Sequence, residues 1–205
     1  MRSAGAAEIT DEALMTRYQR GDVQAFASLV TRHKKPIFNF VLRQIKASAP
    51  AEDLTQEVFL RIVESAHSFK HESRFSTWAY TIARNLCVDH LRKASYRRHP
   101  SLDQTEEAGE GRALGEQVPD LHPRASTERS AVSHEIQIKV VAAVEALPEE
   151  QREVFLLRQV ADLPFQDIAT ITDTSENTVK SRMRYALERL QEALTDFEEY
   201  ARALR

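Results

Sequence analysis

From Leu163 to Leu194 the chain reads LPFQDIATITDTSENTVKSRMRYALERLQEAL. Phe165, Ile168, Ala169 and Ile171 recur at helical spacing and stop near Thr172-Asp173-Thr174. Ser175 then stands as an N-cap for a second helix with the apolar stripe Val179, Met183, Leu187, Leu190 and Leu194. A short helix, a tight turn and a longer helix predict a helix-turn-helix, with small Ala169 allowing close approach of the two. Asp173 occupies the turn position that calls for a left-handed backbone, which aspartate tolerates better than most side chains. The other face of the second helix shows Asn177, Lys180, Ser181 and Arg184, donors suited to phosphates and base edges. The pattern alone equally fits an amphipathic hairpin with a solvated polar face.

Working outward, the same periodicity recurs. Ile136, Val140, Val144 and Leu147 share a face before Pro148, which opens a helix predicted over 149–160. Nearer the N-terminus, Ala25, Phe26, Leu29 and Val30 form one stripe and Ile37, Phe40, Val41 and Ile45 the next, with Pro36 marking a start or a kink. Two more stripes follow: Leu54, Val58, Phe59, Ile62, Val63 and Ala66, then Phe75, Trp78, Ala79, Ile82, Leu86 and Leu91. No alternation of period two persists, so the expected fold class is all-α.

Between the helical parts the composition changes. Pro100, Gly109, Gly111, Gly115, Pro119 and Pro123 are half of the chain's five glycines and seven prolines, and no aromatic residue occurs between Tyr96 and Phe155. From Ser101 to Asp120 six acids (Asp103, Glu106, Glu107, Glu110, Glu116, Asp120) face one base, Arg112. Such a stretch buries too little apolar area to offset its ordering entropy. We therefore expect two small helical domains, residues 10–95 and 133–200, joined by a flexible acidic linker over 96–132.

The 205 residues carry a formal net charge of −3, distributed as +4 over 1–94, −2 over 95–130 and −5 over 131–205. The longest apolar run, Val140 to Val144, falls far short of the roughly 18 residues a membrane span needs. The N-terminus lacks the apolar core of a signal peptide, and the single cysteine, Cys87, cannot form an internal disulfide. A secreted, membrane-spanning or disulfide-built protein is thereby disfavoured, and a reducing cytoplasm is the expected compartment.

A second basic segment holds Arg84, Arg92, Lys93, Arg97 and Arg98 against Asp89 alone. It lies beside Phe69, Phe75, Trp78 and Tyr80, and cations next to rings suit a single strand with stacked bases. Phe75 and Trp78 also sit at core spacing, which favours packing. The loop Lys70-His71-Glu72-Ser73-Arg74 has no core role.

Asp53-Leu54-Thr55-Gln56-Glu57-Val58-Phe59-Leu60, followed by Phe75-Ser76-Thr77-Trp78-Ala79-Tyr80-Thr81-Ile82-Ala83-Arg84-Asn85, resembles region two of a bacterial sigma factor. Leu147-Pro148-Glu149-Glu150-Gln151-Arg152 through Thr178-Val179-Lys180-Ser181-Arg182 resembles region four. With two regions and a short linker, the chain resembles the extracytoplasmic-function (ECF) group of alternative sigma factors. The resemblance implies that Asp53, Gln56 and Glu57 dock on the clamp helices of the polymerase β′ subunit, with the β flap as a second contact. It implies minus-ten recognition by Lys70, His71, Glu72, Ser73 and Arg74 around a flipped-out base, with Asn85, Arg92 and Lys93 along the following helix. It implies minus-thirty-five contacts from Ser175, Asn177, Thr178, Lys180, Ser181 and Arg184, with Arg158 on a nearby phosphate. Thr81 and Ile82 stand where housekeeping sigma factors carry a melting tryptophan pair, which implies weaker intrinsic melting. Met183-Arg184-Tyr185 departs from commoner groove sequences.

The expected function is thus a non-enzymatic specificity subunit with core polymerase, promoter DNA and an anti-sigma factor as partners, held at the membrane through the last if at all. The alternative is a free-standing helix-turn-helix regulator. An enzyme is disfavoured. His67 and His71 share a helix-like spacing, but His33, His90, His99, His122 and His134 are scattered, with no Cys or carboxylate set to complete a metal or nucleophile site. No cofactor is expected.

Overall fold

A computed structural model of the chain describes residues 9–70, 72–97 and 127–195, with side chains at 9–70, 72–96 and 136–195. The acidic stretch 101–120 lies outside these, as do His71 and Arg98. Among the described residues there are eight α-helices and no strand: α1 (Asp11–Gln19), α2 (Val23–Ile45), α3 (Ser48–Glu64), α4 (Phe75–Arg97), α5 (Thr127–Ala146), α6 (Glu149–Gln159), α7 (Phe165–Thr172) and α8 (Glu176–Ala193). A single 3-10 turn, Ala66–Ser68, follows α3. α5 begins inside the stretch read from sequence as linker. Contacts group the described residues up to 97 with Leu157–Asp173 in one unit, and the remainder in a second.

In the first unit, α1 to α4 pack on one another around Leu14, Met15, Leu29, Ile37, Phe40, Val41, Val58, Ile62, Phe75 and Tyr80, all buried. Each such side chain stabilises the fold by roughly 1.5–3 kcal/mol. Tyr80 meets the Phe40 ring edge-on at 5.4 Å. Burial pushes the Tyr80 hydroxyl above its ordinary pKa of 10.0. The two stripes on either side of Pro36 belong to one helix, because α2 continues through the proline. Ala25 and Leu29 before it and Ile37, Phe40, Val41 and Leu42 after it are buried on the same bundle, which outweighs the ~3 kcal/mol that an interior proline costs. The α1–α2 turn uses Gly21 at φ 98°. Asp22 then caps α2 through Gln24 N–H (3.1 Å) and Ala25 N–H (3.2 Å) while accepting from Arg17 at 2.6 Å. α7 packs on α4, where the buried Thr77 hydroxyl donates to Asp167 at 2.7 Å.

In the second unit, Arg152 is buried and donates to the carbonyl of Leu147 at 3.2 Å, satisfying an acceptor just past the end of α5. Arg182 of α8 pairs with Glu150 of α6 at 2.7 Å. The buried stripe of α8 is Val179, Met183, Ala186 and Leu190. Leu187, read from sequence as part of it, is 47% exposed. At about 100° per residue Leu187 stands some 80° from Val179, whereas Ala186 lies within about 20°.

Candidate nucleic-acid and protein-docking surfaces

The proposed docking residues lie on α3. Asp53 and Gln56 are exposed, and Glu57 is half-buried and accepts from Arg61 at 2.7 Å. A groove of about 350 Å³ is lined by Phe26, Val30 and Lys34 of α2 and Thr55, Gln56, Phe59, Leu60 and Val63 of α3. Leu60 is 57% exposed there. The sequence pattern places Phe59 and Val63 with the core; that Phe26, Val30, Phe59 and Val63 instead line an open groove follows only from how α2 and α3 sit together.

Lys70, Glu72, Ser73 and Arg74 are all exposed, in a span whose two ends are buried: Phe69 on one side and Phe75 on the other. The rings of Phe69, Phe75 and Trp78 contact one another, Phe69 and Trp78 at 5.1 Å between centroids. These aromatics therefore pack, as their spacing suggested, and Lys70 and Glu72 to Arg74 beside them face solvent. Along α4, Asn85 and Lys93 are exposed, and Arg92 is exposed and pairs with Asp89 at 2.9 Å.

Helix α1, for which no apolar stripe was read from the sequence, reaches both ends of that span. The Gln19 side-chain amide donates to the carbonyls of Ala66 (2.8 Å) and Phe69 (3.1 Å). The Glu12 carboxylate accepts the Phe75 N–H at 2.9 Å, satisfying an otherwise unpaired donor in the first turn of α4. α1 is in turn held to α2 by Asp11, which accepts from Arg32 at 2.8 Å and lies 2.6 Å from His33 Nε2. The hydrogen bond with His33, then that from Arg32, holds the Asp11 carboxyl below its ordinary 3.8, against an opposing effect of burial. The His33 ring also lies 5.1 Å from that of Phe75.

α7 ends on Asp173 at φ 52° and ψ 48°, the left-handed conformation expected of the turn. Ser175 caps α8, its hydroxyl accepting from Thr178 N–H at 3.1 Å and lying 2.8 Å from the Thr178 hydroxyl. Asn177, Lys180, Ser181 and Arg184 are exposed together on the outer face of α8. Lys180 pairs with Glu176 at 2.7 Å, and Arg184 lies over the Tyr185 ring at 4.7 Å with Glu188 at 3.9 Å. Arg158 is engaged locally with Asp162 (3.3 Å), the Leu163 carbonyl (3.1 Å) and the Phe165 ring. Among the described residues, no group of three or more His, Cys, Asp or Glu side chains is placed to hold a metal ion, and no helix is long and apolar enough to cross a membrane.

Comparison with known proteins bears on both halves. Residues 29–97 match the family Sigma-70 region 2, and residues 137–190 match Sigma-70, region 4. The chain is 34% identical over 184 residues to the RNA polymerase sigma-H factor of Pseudomonas aeruginosa, covering 90% of this chain and 93% of that protein. It is 33% identical over 181 residues to the ECF RNA polymerase sigma-E factor of Escherichia coli, covering 88% and 92%. Two solved structures share its fold at a TM-score of 0.63. They are the sigma factor RpoE of Bartonella quintana in complex with the anti-sigma factor NepR (21% identical; 83% of this chain, 96% of that one) and CnrH in complex with the cytosolic domain of CnrY (18%; 91% and 97%).

Proposed function

This chain belongs to the extracytoplasmic-function group of the sigma-70 family, and from that membership we propose how its parts share the work of promoter recognition. It is an alternative sigma factor: it associates with RNA polymerase core and directs transcription initiation at particular promoters. The observation that carries this is the order of the two regions in one chain, joined with identity to sigma factors along nearly its whole length. Sigma factors are DNA-binding initiation factors, and polymerase is the enzyme. On our reading this chain contributes recognition and no catalytic residue.

In the proposed division, residues 10–95 dock on core and read the minus-ten element, 96–132 are a linker, and 133–200 read the minus-thirty-five element. Docking runs through Asp53, Gln56 and Glu57. The apolar groove beside Gln56 supports this reading, since a partner covering that face removes Leu60 and its neighbours from water as well as pairing polar groups. For the minus-ten element, Lys70 to Arg74 surround an extruded base while Asn85, Arg92 and Lys93 follow the strand. For the minus-thirty-five element, Lys180, Ser181 and Arg184 face the major groove, Ser175, Asn177 and Thr178 contact the DNA at the helix N-terminus, and Arg158 meets a phosphate. The common exposure of Asn177, Lys180, Ser181 and Arg184 on one face of α8 supports this. The RpoE structure with NepR motivates a further proposal, that an anti-sigma factor competes for this chain in the bacterial cytoplasm and can retain it at a membrane.

The test combines transcription and binding. Purified chain added to core should yield defined start sites on promoter templates, and the double variant Asp53→Ala with Gln56→Ala should compete poorly for core while keeping the wild-type melting temperature. Tight, sequence-selective DNA binding by the chain without core would instead point to a free-standing regulator.

A further inference from the structure

We propose that α1 is a splint for the minus-ten loop, with Gln19 and Glu12 as positioning residues that determine how sharply the loop discriminates among bases. The inference rests on the reading that Lys70 and Glu72 to Arg74 meet the minus-ten strand, and goes beyond it by assigning the loop's shape to residues outside the matched region 29–97.

Lys70 and Glu72 to Arg74 lie outside any helix or strand, and the hydrogen bonds that α1 makes to this segment fall at its two ends. Both ends are held by α1. Gln19 grips the incoming side through the carbonyls of Ala66 and Phe69, and Glu12 grips the outgoing side through the Phe75 N–H. Gln19 and Glu12 lie seven positions apart, two turns along one helix, so the same helical face meets both ends of the loop. A negative carboxylate at the first turn of α4 also suits the positive end of that helix. The splint is itself braced: Asp11 ties α1 to Arg32 and His33 of α2, and the His33 ring lies against Phe75, the residue whose N–H Glu12 accepts. A base-reading pocket loses selectivity when its walls shift by fractions of an ångström, so loosening either grip lets non-preferred bases fit.

The experiment uses the full chain with core polymerase on a promoter panel varied at the minus-ten and, separately, at the minus-thirty-five element. Glu12→Ala, which removes one hydrogen bond, should lower the preference for the favoured minus-ten base by about three- to tenfold, and Gln19→Ala, which removes two, by at least as much. Minus-thirty-five preference and competition for core should stay at wild-type levels, which a general loss of stability would not permit. Glu12→Gln keeps an acceptor and should restore selectivity. Gln19→Glu keeps the shape but removes the donor, so it should behave as Gln19→Ala does and serves where the alanine variant folds poorly. A triple variant, Glu72→Ala, Ser73→Ala and Arg74→Ala, tests the underlying reading. If the triple variant alters minus-ten preference while the Glu12 and Gln19 variants do not, the splint is wrong and the loop assignment stands. If the triple variant leaves minus-ten preference unchanged, the loop assignment fails and the splint falls with it.

Discussion

On α8, the side chains proposed to meet DNA are held by neighbours on the same helix: Lys180 by Glu176 at 2.7 Å, Arg184 by the Tyr185 ring, and the helix start by Ser175 three residues from its partner Thr178. At the loop before α4, the supports come from 47 to 63 positions away, through Gln19 and Glu12. The contrast follows from what each is proposed to read. A helix laid in the major groove of duplex DNA arrives preformed and needs only its own cap and stripe. A pocket for a base taken out of the stack has to be built from a loop, whose shape must be supplied by tertiary contacts. On that proposal, the loop before α4 depends on the packing of the bundle in a way α8 does not.

The largest expected effect tests that dependence at its base. Phe75 is fully buried and its ring meets His33, Phe69 and Trp78. Phe75→Ala should cost about 3–5 kcal/mol of unfolding free energy and abolish minus-ten preference. Denaturant unfolding and promoter-panel transcription read the two quantities. A variant of near wild-type stability that still discriminates would show that the loop is held by something other than this cluster.

Next in size, Lys180→Ala and Arg184→Ala should each reduce discrimination at one minus-thirty-five position by about 1–3 kcal/mol. Because both side chains are exposed, unfolding should be nearly unchanged. This is the reverse of the Phe75→Ala pattern, and a large loss of stability in either variant would break the comparison. Ser175→Ala is smaller and mixes the two patterns. Removing the hydroxyl that caps Thr178 N–H should cost about 1 kcal/mol and fray the first turn of α8, weakening contacts from Asn177 and Thr178 more than that from Arg184. Footprinting with core on single-base minus-thirty-five variants would resolve that gradient.

The same contrast decides what is legible in the sequence. Ser175 as cap, Asp173 as the left-handed turn residue and the exposed row from Asn177 to Arg184 are all readable because each is defined by neighbours within one or two helical turns. Leu187 is misplaced by such reading only because a stripe tolerates two candidate positions and the fold selects Ala186. Pro36 leaves a start or a kink open because local propensity allows both; the start is excluded only by tertiary packing, since burial of residues on both sides keeps α2 whole. The position of the minus-ten loop comes from the family resemblance, but its supports do not. Glu12 looks like any acid in a first turn, and Gln19 like any polar residue near a helix end; their role exists only once α1 and α4 are brought together.

The smallest effect sharpens the comparison on the α8 side. If its cations are held only by local partners, those partners should be weak and separable from recognition. Glu176 pairs with Lys180 at 2.7 Å, both about half exposed, and such a pair contributes about 0.2–1 kcal/mol. Glu176→Gln should therefore lower stability by a few tenths of a kcal/mol, counting the lost carboxylate at the helix N-terminus. It should also free Lys180 for phosphate or base and remove a negative charge from the end of α8 proposed to face DNA. Affinity of the polymerase complex for its promoter should rise slightly, and the fall of that affinity with salt should steepen, since one more cation is available to displace counterions. Glu188→Gln removes a looser partner, 3.9 Å from Arg184, whose guanidinium keeps the Tyr185 ring, and should change less. The order of these two variants in a salt titration is the measurement. If Glu176→Gln instead weakens promoter binding, the carboxylate orients Lys180 for the groove, and α8 carries positioning residues of its own.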